Sequence, residues 1–350
     1  MGFTLDNLRR DALSQFDTVI DVRSPVEFAE DHVPGALNLP VMSNEERAEI
    51  GTIYVQDSPF RARKLGAAIV ARNAAAHIEN ELTEKDGGWQ PLVYCWRGGQ
   101  RSVSFASILS QIGWRTELLA GGYRSYRTQV VKALYEDPLP HRFVLLDGNT
   151  GSGKTAILHE LHAQGAQMLD LEGLANHRGS LLGAMRGAQP SQKMFETRLA
   201  LALSNLDASR PVVAEAESSK IGERLIPASV WKSMRAAPRI DIAASLPARA
   251  KFLTRDYADV LENPAHMAER LDKLRALCSN ARVDQWLAFL KDGQLEDLAA
   301  ELMQRHYDQG YDRSRAARET AVLATLQTDG LEANDIARLA AQVSELLDQF

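Results

Sequence analysis

The sequence contains only two cysteines, Cys95 and Cys278, in 350 residues. That excludes a disulfide framework and any cysteine-rich zinc site. No apolar run approaches the ~20 residues that a membrane-crossing helix needs. The opening stretch, "MGFTLDNLRRDALSQF", lacks the basic-then-apolar pattern of a secretory leader. Position 6 is Asp, not the Ser or Thr that myristoylation of Gly2 would want. These absences point to a cytoplasmic protein with no membrane attachment. Internal repeats and low-complexity tracts are also missing. The net charge is −6, so the molecule as a whole does not attract polyanions.

What is present fits a folded globular chain, 45% hydrophobic and 25% charged. Its length exceeds one modest core and predicts two or three domains. In the first 135 or so residues, "TVIDV", "ALNLP", "PLVYC" and "TELLAG" read as strands. Between the last two, Phe105, Ile108, Leu109 and Ile112 fall on one helical face, closed by Gly113. Strands alternating with helices predict a mostly parallel sheet covered on both sides. "YEDPLPH" has two prolines and no apolar period, which marks a boundary. A second α/β pattern follows through "RFVLLDG", "AQMLDLEG", "RPVVAEAE" and "RIDIAASL", and from about residue 255 the chain reads as helical to its end. The expected division is 1–136, 137–254 and a helical region at 255–350.

The second pattern carries "GNTGSGKT", in which Gly148, Gly153, Lys154 and Thr155 satisfy G-x-x-x-x-G-K-[ST] between a strand and a helix. Such a loop, here Gly148, Asn149, Thr150, Gly151, Ser152, Gly153, Lys154 and Thr155, turns backbone N–H groups around phosphate oxygens. Lys154 adds a point charge, and Thr155 is placed to hold Mg²⁺. Glu215 and Glu217, ending the strand in "PVVAEAESS", are candidates for a second acidic element through water-bound Mg²⁺ or as a base. "DLEGLANHRGS" adds Asp170 and Glu172, with Arg178 as a phosphate partner and His177 as a proton donor. A cradle does not define the reaction: kinase, ATPase and prenyl diphosphate chemistry all use one.

In the first pattern, "VYCWRGGQRS" places Cys95 at the end of a strand, before Gly98, Gly99 and a helix. Nest-like N–H groups, a helix N-terminus, Arg97 and Arg101 are surroundings in which a cysteine reacts as a thiolate. Two chemistries suit the loop. Cys-x5-Arg is the pattern of cysteine phosphatases, with Arg101 clamping a phosphoryl group. Alternatively, the sulfur carries sulfur or selenium as a persulfide-type adduct. Cys278 shares a helical face with Leu271 and Leu274 and reads as core. From Arg97 to Lys132 six basic residues face one acid, Glu117, a candidate anion or RNA surface with Arg115, Arg124 and Arg127 as its RNA contacts.

The flanks of the thiol loop, "DVRSPVEFAEDHVPGALNLP" and "LLAGGYRSY", resemble a rhodanese domain, with Tyr126 where an aromatic residue is usual. One class of dual-specificity phosphatase shares that fold. A rhodanese-like domain with "CWRGGQRS", followed by a P-loop NTPase-like domain with "GNTGSGKT" and "DLEGLANHRGS", closely resembles the tRNA 2-selenouridine synthases. "MSNEERAEIGTIY" also matches that family, and the resemblance covers roughly residues 15 to 310.

The resemblance implies action on tRNA with 2-thiouridine at the wobble position. It implies two co-substrates, geranyl diphosphate and selenophosphate, with no tightly bound cofactor and with a selenophosphate-producing enzyme as a partner. Sulfur is geranylated first, and selenium then replaces the S-geranyl group. Cys95 matches the family's cysteine for the selenium step, Gly66 aligns with a glycine the family needs, and Gly148 to Thr155 match its phosphate-binding motif. The chain departs from the family's Glu-Asp-Glu-Ser-Arg run, with Ala216 and Ser219 in "EAESS", and about 36 residues after "HYDQGYDRS" stay unassigned. The competing readings are a nucleotide-dependent phosphotransferase with a regulatory rhodanese or phosphatase module, and a non-enzymatic sulfur or selenium carrier.

Overall fold

The computed structural model describes residues 2–180, 183, 185–258, 264–308 and 320–350. The chain divides into two compact units, Met1–Asp137 with Pro190–Asn205, and Pro138–Gln189 with Leu206–Phe350. Among the described residues no helix is long and apolar enough to cross a membrane.

The first unit is built on a parallel sheet of order β2-β1-β3-β4, from β1 (Thr18–Asp21), β2 (Leu37–Asn38), β3 (Pro91–Tyr94) and β4 (Glu117–Leu118). All four residues of β3 are buried, as a continuous apolar run in a central strand requires. Helices α1 (Pro25–Glu30), α2 (Asn44–Gln56), α3 (Pro59–Asn80), α4 (Gln100–Ile112) and α5 (Gly122–Val131) complete it. On α4, Phe105 and Leu109 are fully buried and Ile108 packs beside them, while Ile112 is half-exposed. Gly113 ends that helix in the left-handed region, as expected of a C-cap. The Asp-x-Arg pair is an internal strut: Arg23 and Asp21 are both buried and joined at 2.6 Å, and the guanidinium lies 4.0 Å over the Tyr123 ring. A further helix, α8 (Gln192–Ser204), also packs in this unit, with Thr197 bonded to buried Asp31 at 3.0 Å.

The second unit has a parallel sheet of order β11-β10-β5-β7-β6, with β5 (Phe143–Asp147), β6 (Gln167–Leu169), β7 (Val212–Glu215), β10 (Arg239–Ala244) and β11 (Val322–Thr328). A small antiparallel hairpin joins β8 (Lys220–Ile221) to β9 (Arg224–Leu225). Helices α6 (Lys154–Ala163), α7 (Leu171–Ala175), α9 (Ala228–Ala236) and α10 (Leu246–Asp256) complete the α/β part. The C-terminal region adds α11 (Pro264–Lys273), α12 (Asn280–Lys291), α13 (Leu295–Leu302) and α14 (Ala333–Leu347).

The expectation of helix from residue 255 to the end is corrected by β11. This segment pairs with β10 in register, Ile242 opposite Leu326. Its "VLATLQT" has no 3.6-residue apolar face, and its partner strand lies some eighty positions earlier, so no local signal could place it. Cys278 is half-buried against the cluster that holds Leu271 and Leu274, just past α11 and its terminal turn. Residues 309–319, which include the end of "HYDQGYDRS", lie outside the described residues.

Candidate functional site

Two sites form at the C-terminal ends of the parallel strands, one in each unit. In the first, Cys95 directly follows β3, and α4 begins five residues later. The Gly99 N–H donates to the sulfur at 3.2 Å and the Ser102 hydroxyl at 3.1 Å. Both donors hold the sulfur against the start of α4. The loop is pinned from outside by the N–H groups of Tyr123 and Arg124, which donate to the Cys95 and Trp96 carbonyls at 2.8 and 3.0 Å. That approach needs Gly122: its φ is +62°, and a Cβ there would collide with the Cys95 carbonyl.

Cys95 is only 3% exposed, yet it forms the floor of a bowl walled by Arg47, Trp96, Arg97, Gly99, Gln100 and Arg101. Arg97 is exposed at the rim. Arg101 is not a free clamp, because it forks onto Glu27 at 2.7 and 3.2 Å. Burial alone would raise the Glu27 carboxyl, but the hydrogen bonds and charge of Arg101 outweigh it and hold it below the usual carboxylate range. Glu27 also accepts from the Ser24 N–H at the start of α1, so one carboxylate ties α1 to α4. Ser24-x-x-Glu27 is a capping box that sequence reading could have flagged, but its second role could not be read.

The basic stretch separates in three dimensions. Arg115 precedes β4, which runs parallel to β3, so it lies at the end of the sheet opposite Cys95. Arg127 is an internal cation: it pairs with Glu196 and lies 3.7 Å from Asp31. Of the three, Arg124 is exposed beside the loop, Arg115 is exposed at the far end of the sheet, and Arg127 is half-buried. Gly66 is buried in α3, where a Cβ would lie 3.1 Å from the Met42 Cε and 3.6 Å from Ile50.

The second site is the loop from Gly148 to Thr155 between β5 and α6. Lys154 Nζ donates to the Gly148 carbonyl at 2.9 Å, and the Gly148 N–H to Asp147 at 2.7 Å. Gly153 caps α6 with a left-handed backbone. The hydroxyls of Thr150 and Ser152 are buried with no hydrogen-bond partner among the described residues. Orphaned hydroxyls lining a turn of N–H groups suit an anion's oxygens. The cradle is braced by Arg249, which was missed in the sequence. It donates to the Thr150 carbonyl at 3.1 Å and forks onto Asp308 at 2.9 and 2.7 Å. In "LPARAKF" it reads as a helix-surface arginine, and its partner is 59 residues away.

Three carboxylates converge beside Thr155. Glu172, Glu215 and Glu217 each offer an oxygen within 4.8 Å of the others. Thr155 donates to Glu215 and, at 3.3 Å, to Glu172. Burial, followed by the charges of Glu215 and Glu217, pushes Glu172 up to about 10, and burial with Glu217 pushes Glu215 up to about 8. Glu215 is fully buried and its Oε2 has no partner among the described residues. Hard oxygen donors of this kind, with an orphaned oxygen, fit Mg²⁺, and the set to hold it is Thr155, Glu172, Glu215 and Glu217. Ala216 is buried and stands outside this set, so its departure from the family's run leaves the cluster intact.

The remaining candidates divide. Arg178 lines the cradle's cleft with Glu172, Glu217 and Lys154, and its guanidinium lies 4.8 Å over Tyr257. Asp170 instead caps α7, accepting from the Gly173 N–H at 2.7 Å. His177 stays outside that lining, and burial, then the charge of Arg270, lowers its pKa, which disfavours the protonated form expected of a donor.

The raised carboxyls have a consequence for stability. The folded chain keeps protons that the unfolded chain releases, so stability should fall as pH rises from about 6 to about 9. A cation displaces those protons, so Mg²⁺ should raise Tm more at about pH 9 than at about pH 6. Thermal melts with and without Mg²⁺ check this. A Mg²⁺ effect independent of pH would separate the cluster from the metal.

Comparison with known proteins places both sites in matched regions. Residues 4–129 match the rhodanese-like domain model, and residues 141–270 match the model described as the tRNA 2-selenouridine synthase AAA domain. Proteins named tRNA 2-selenouridine synthase are similar along most of the chain. That of Nitrosomonas europaea is 35% identical over 257 residues, 72% of this chain and 66% of that protein. That of Bdellovibrio bacteriovorus is 35% identical over 296 residues, covering 78% and 76%. That of Alcanivorax borkumensis is 37% identical over 256 residues, covering 71% and 69%.

Proposed function

Because the chain belongs to the tRNA 2-selenouridine synthase family, we propose that it converts 2-thiouridine at the tRNA wobble position to 2-selenouridine in two steps, in the cytoplasm. The first joins the base's sulfur to the geranyl group of geranyl diphosphate, with diphosphate leaving. In the second a C–Se bond forms to the selenium of selenophosphate as the C–S bond breaks and geranylthiol leaves, and water takes the phosphoryl group as the P–Se bond breaks, releasing phosphate. The observation that carries this reading is the pairing of a hydrogen-bonded thiol bowl with a separate phosphate cradle in one chain.

Geranylation solves a chemical problem. Sulfide is a poor leaving group, whereas an alkylated sulfur departs as geranylthiolate. In the first step Lys154 and the loop N–H groups stabilise charge growing on the departing diphosphate. Thr155, Glu172, Glu215 and Glu217 would hold a Mg²⁺, whose charge offsets that of the diphosphate. Beside the cradle, Leu253, Met267, Leu298 and Leu302 form an apolar wall that also touches Thr150, against which the start of the geranyl chain can rest. In the second step the bowl's N–H groups and Arg97 hold the selenophosphate anion beside Cys95.

The test is nucleoside mass spectrometry of tRNA incubated with the full-length protein. Geranyl diphosphate and selenophosphate together should yield 2-selenouridine, and ATP or GTP alone should change no nucleoside. Phosphate release from a nucleotide with no new nucleoside would favour the phosphotransferase reading instead.

A further inference from the structure

Beside the thiol bowl the first unit holds a second cavity, a cleft of about 490 Å³ between α2 and α3, roofed by the first turns of α4. Its floor is apolar, with Met42, Ile50, Val55, Ala62 and Val70 among its walls. Gly66 and Ala67 keep the α3 wall low, and among the described residues the charged groups lining the cleft are Arg47, Arg63 and Arg101. Large apolar side chains stand exposed along it: Tyr54 is 54% exposed and Val55 82%. Clustered apolar exposure of this kind marks a binding surface more often than a solvated face.

Three residues, Arg47, Gln100 and Arg101, line both this cleft and the bowl over Cys95. The two cavities therefore adjoin, one apolar and one built for an anion and a reactive sulfur. A ligand spanning them must have an apolar chain at one end and the reacting atom at the other. It must also tolerate a cationic rim, as a polyanion does. We propose that the α2–α3 cleft holds the apolar chain carried on the sulfur of the RNA base while that base is presented to Cys95. This rests on the two-step reading above and adds where the alkylated RNA is recognised. The cleft sets specificity: a plain or short-chain thio base leaves it empty, so the enzyme selects the RNA that has already been alkylated. Each methylene taken from water is worth about fourfold in binding.

The test uses the full-length protein and synthetic anticodon stem-loops carrying either 2-S-geranyl- or 2-S-methyluridine, with affinity read by fluorescence anisotropy. The wild type should bind the geranyl RNA at least about tenfold tighter than the methyl RNA. Ala67→Trp fills the cleft from an exposed helix position and should bring the ratio close to one. Tyr54→Ser, at another exposed position, should lower it in the same direction, and it decides the matter if Ala67→Trp fails to fold by circular dichroism. A ratio unchanged in the folded variants overturns the assignment. So does loss, in Ala67→Trp, of affinity for free geranyl diphosphate alone, which would make the cleft a donor site. Formation of 2-selenouridine by the wild type is scored separately. If it is absent while the affinity ratio behaves as stated, the two-step reading fails and the cleft assignment stands.

Discussion

Cys95→Ser protein is expected to accumulate 2-S-geranylthiouridine in tRNA and to form 2-selenouridine slower by 10³-fold or more, on the order of what losing a nucleophile costs in other enzymes. The sulfur is the floor of its bowl, held by the Gly99 N–H and the Ser102 hydroxyl at 3.2 and 3.1 Å. A serine keeps the size and those two partners, so the loop should stay in place while the chemistry goes. The phosphate cradle belongs to the other unit and shares no lining residue with the bowl. Geranylation should therefore persist at close to the wild-type rate. Mass spectrometry of digested tRNA reads both nucleosides in one run. Equal loss of both activities in a folded Cys95→Ser protein would count against two separable sites.

Lys154→Ala should do the opposite. In the structure its ammonium group donates to the Gly148 carbonyl at the mouth of the cradle, next to the cluster of Glu172, Glu215 and Glu217. A diphosphate arriving there gains a cation in a partly dry site, and the gain grows as the C–O bond breaks. Removing it should cost ~2–4 kcal/mol of transition-state stabilisation, or about 10²–10³ in the geranylation rate. The same protein should still convert tRNA that is already geranylated, because Cys95 and its partners are untouched. Geranylation kinetics unchanged by Lys154→Ala would remove the cradle from the reaction.

The parts that were readable in the sequence are those whose chemistry is local. The cradle from Gly148 to Thr155 needs a strand, a glycine-rich turn and a helix in immediate succession. The thiol loop needs the same around Cys95, and both took shape as the spacing implied. What stayed hidden depends on partners distant in sequence. Arg249 braces the cradle while held by Asp308, 59 positions away, and Arg101 is tied to Glu27, 74 positions away. Glu172 was legible as a candidate, but not its convergence with Glu215 and Glu217, which needs β6 and β7 side by side. The basic stretch also disperses in the fold: Arg97 stands at the Cys95 bowl, Arg115 at the opposite end of the sheet, and Arg127 is paired with Glu196.

The central claim is that selenium enters only after the sulfur has been alkylated. Time-resolved nucleoside analysis of 2-thiouridine tRNA with wild-type protein and selenophosphate, with or without geranyl diphosphate, tests it most directly. The account predicts that 2-S-geranylthiouridine rises and then falls ahead of 2-selenouridine, and that no 2-selenouridine forms when geranyl diphosphate is left out. Selenouridine appearing at the same rate without geranyl diphosphate would contradict it.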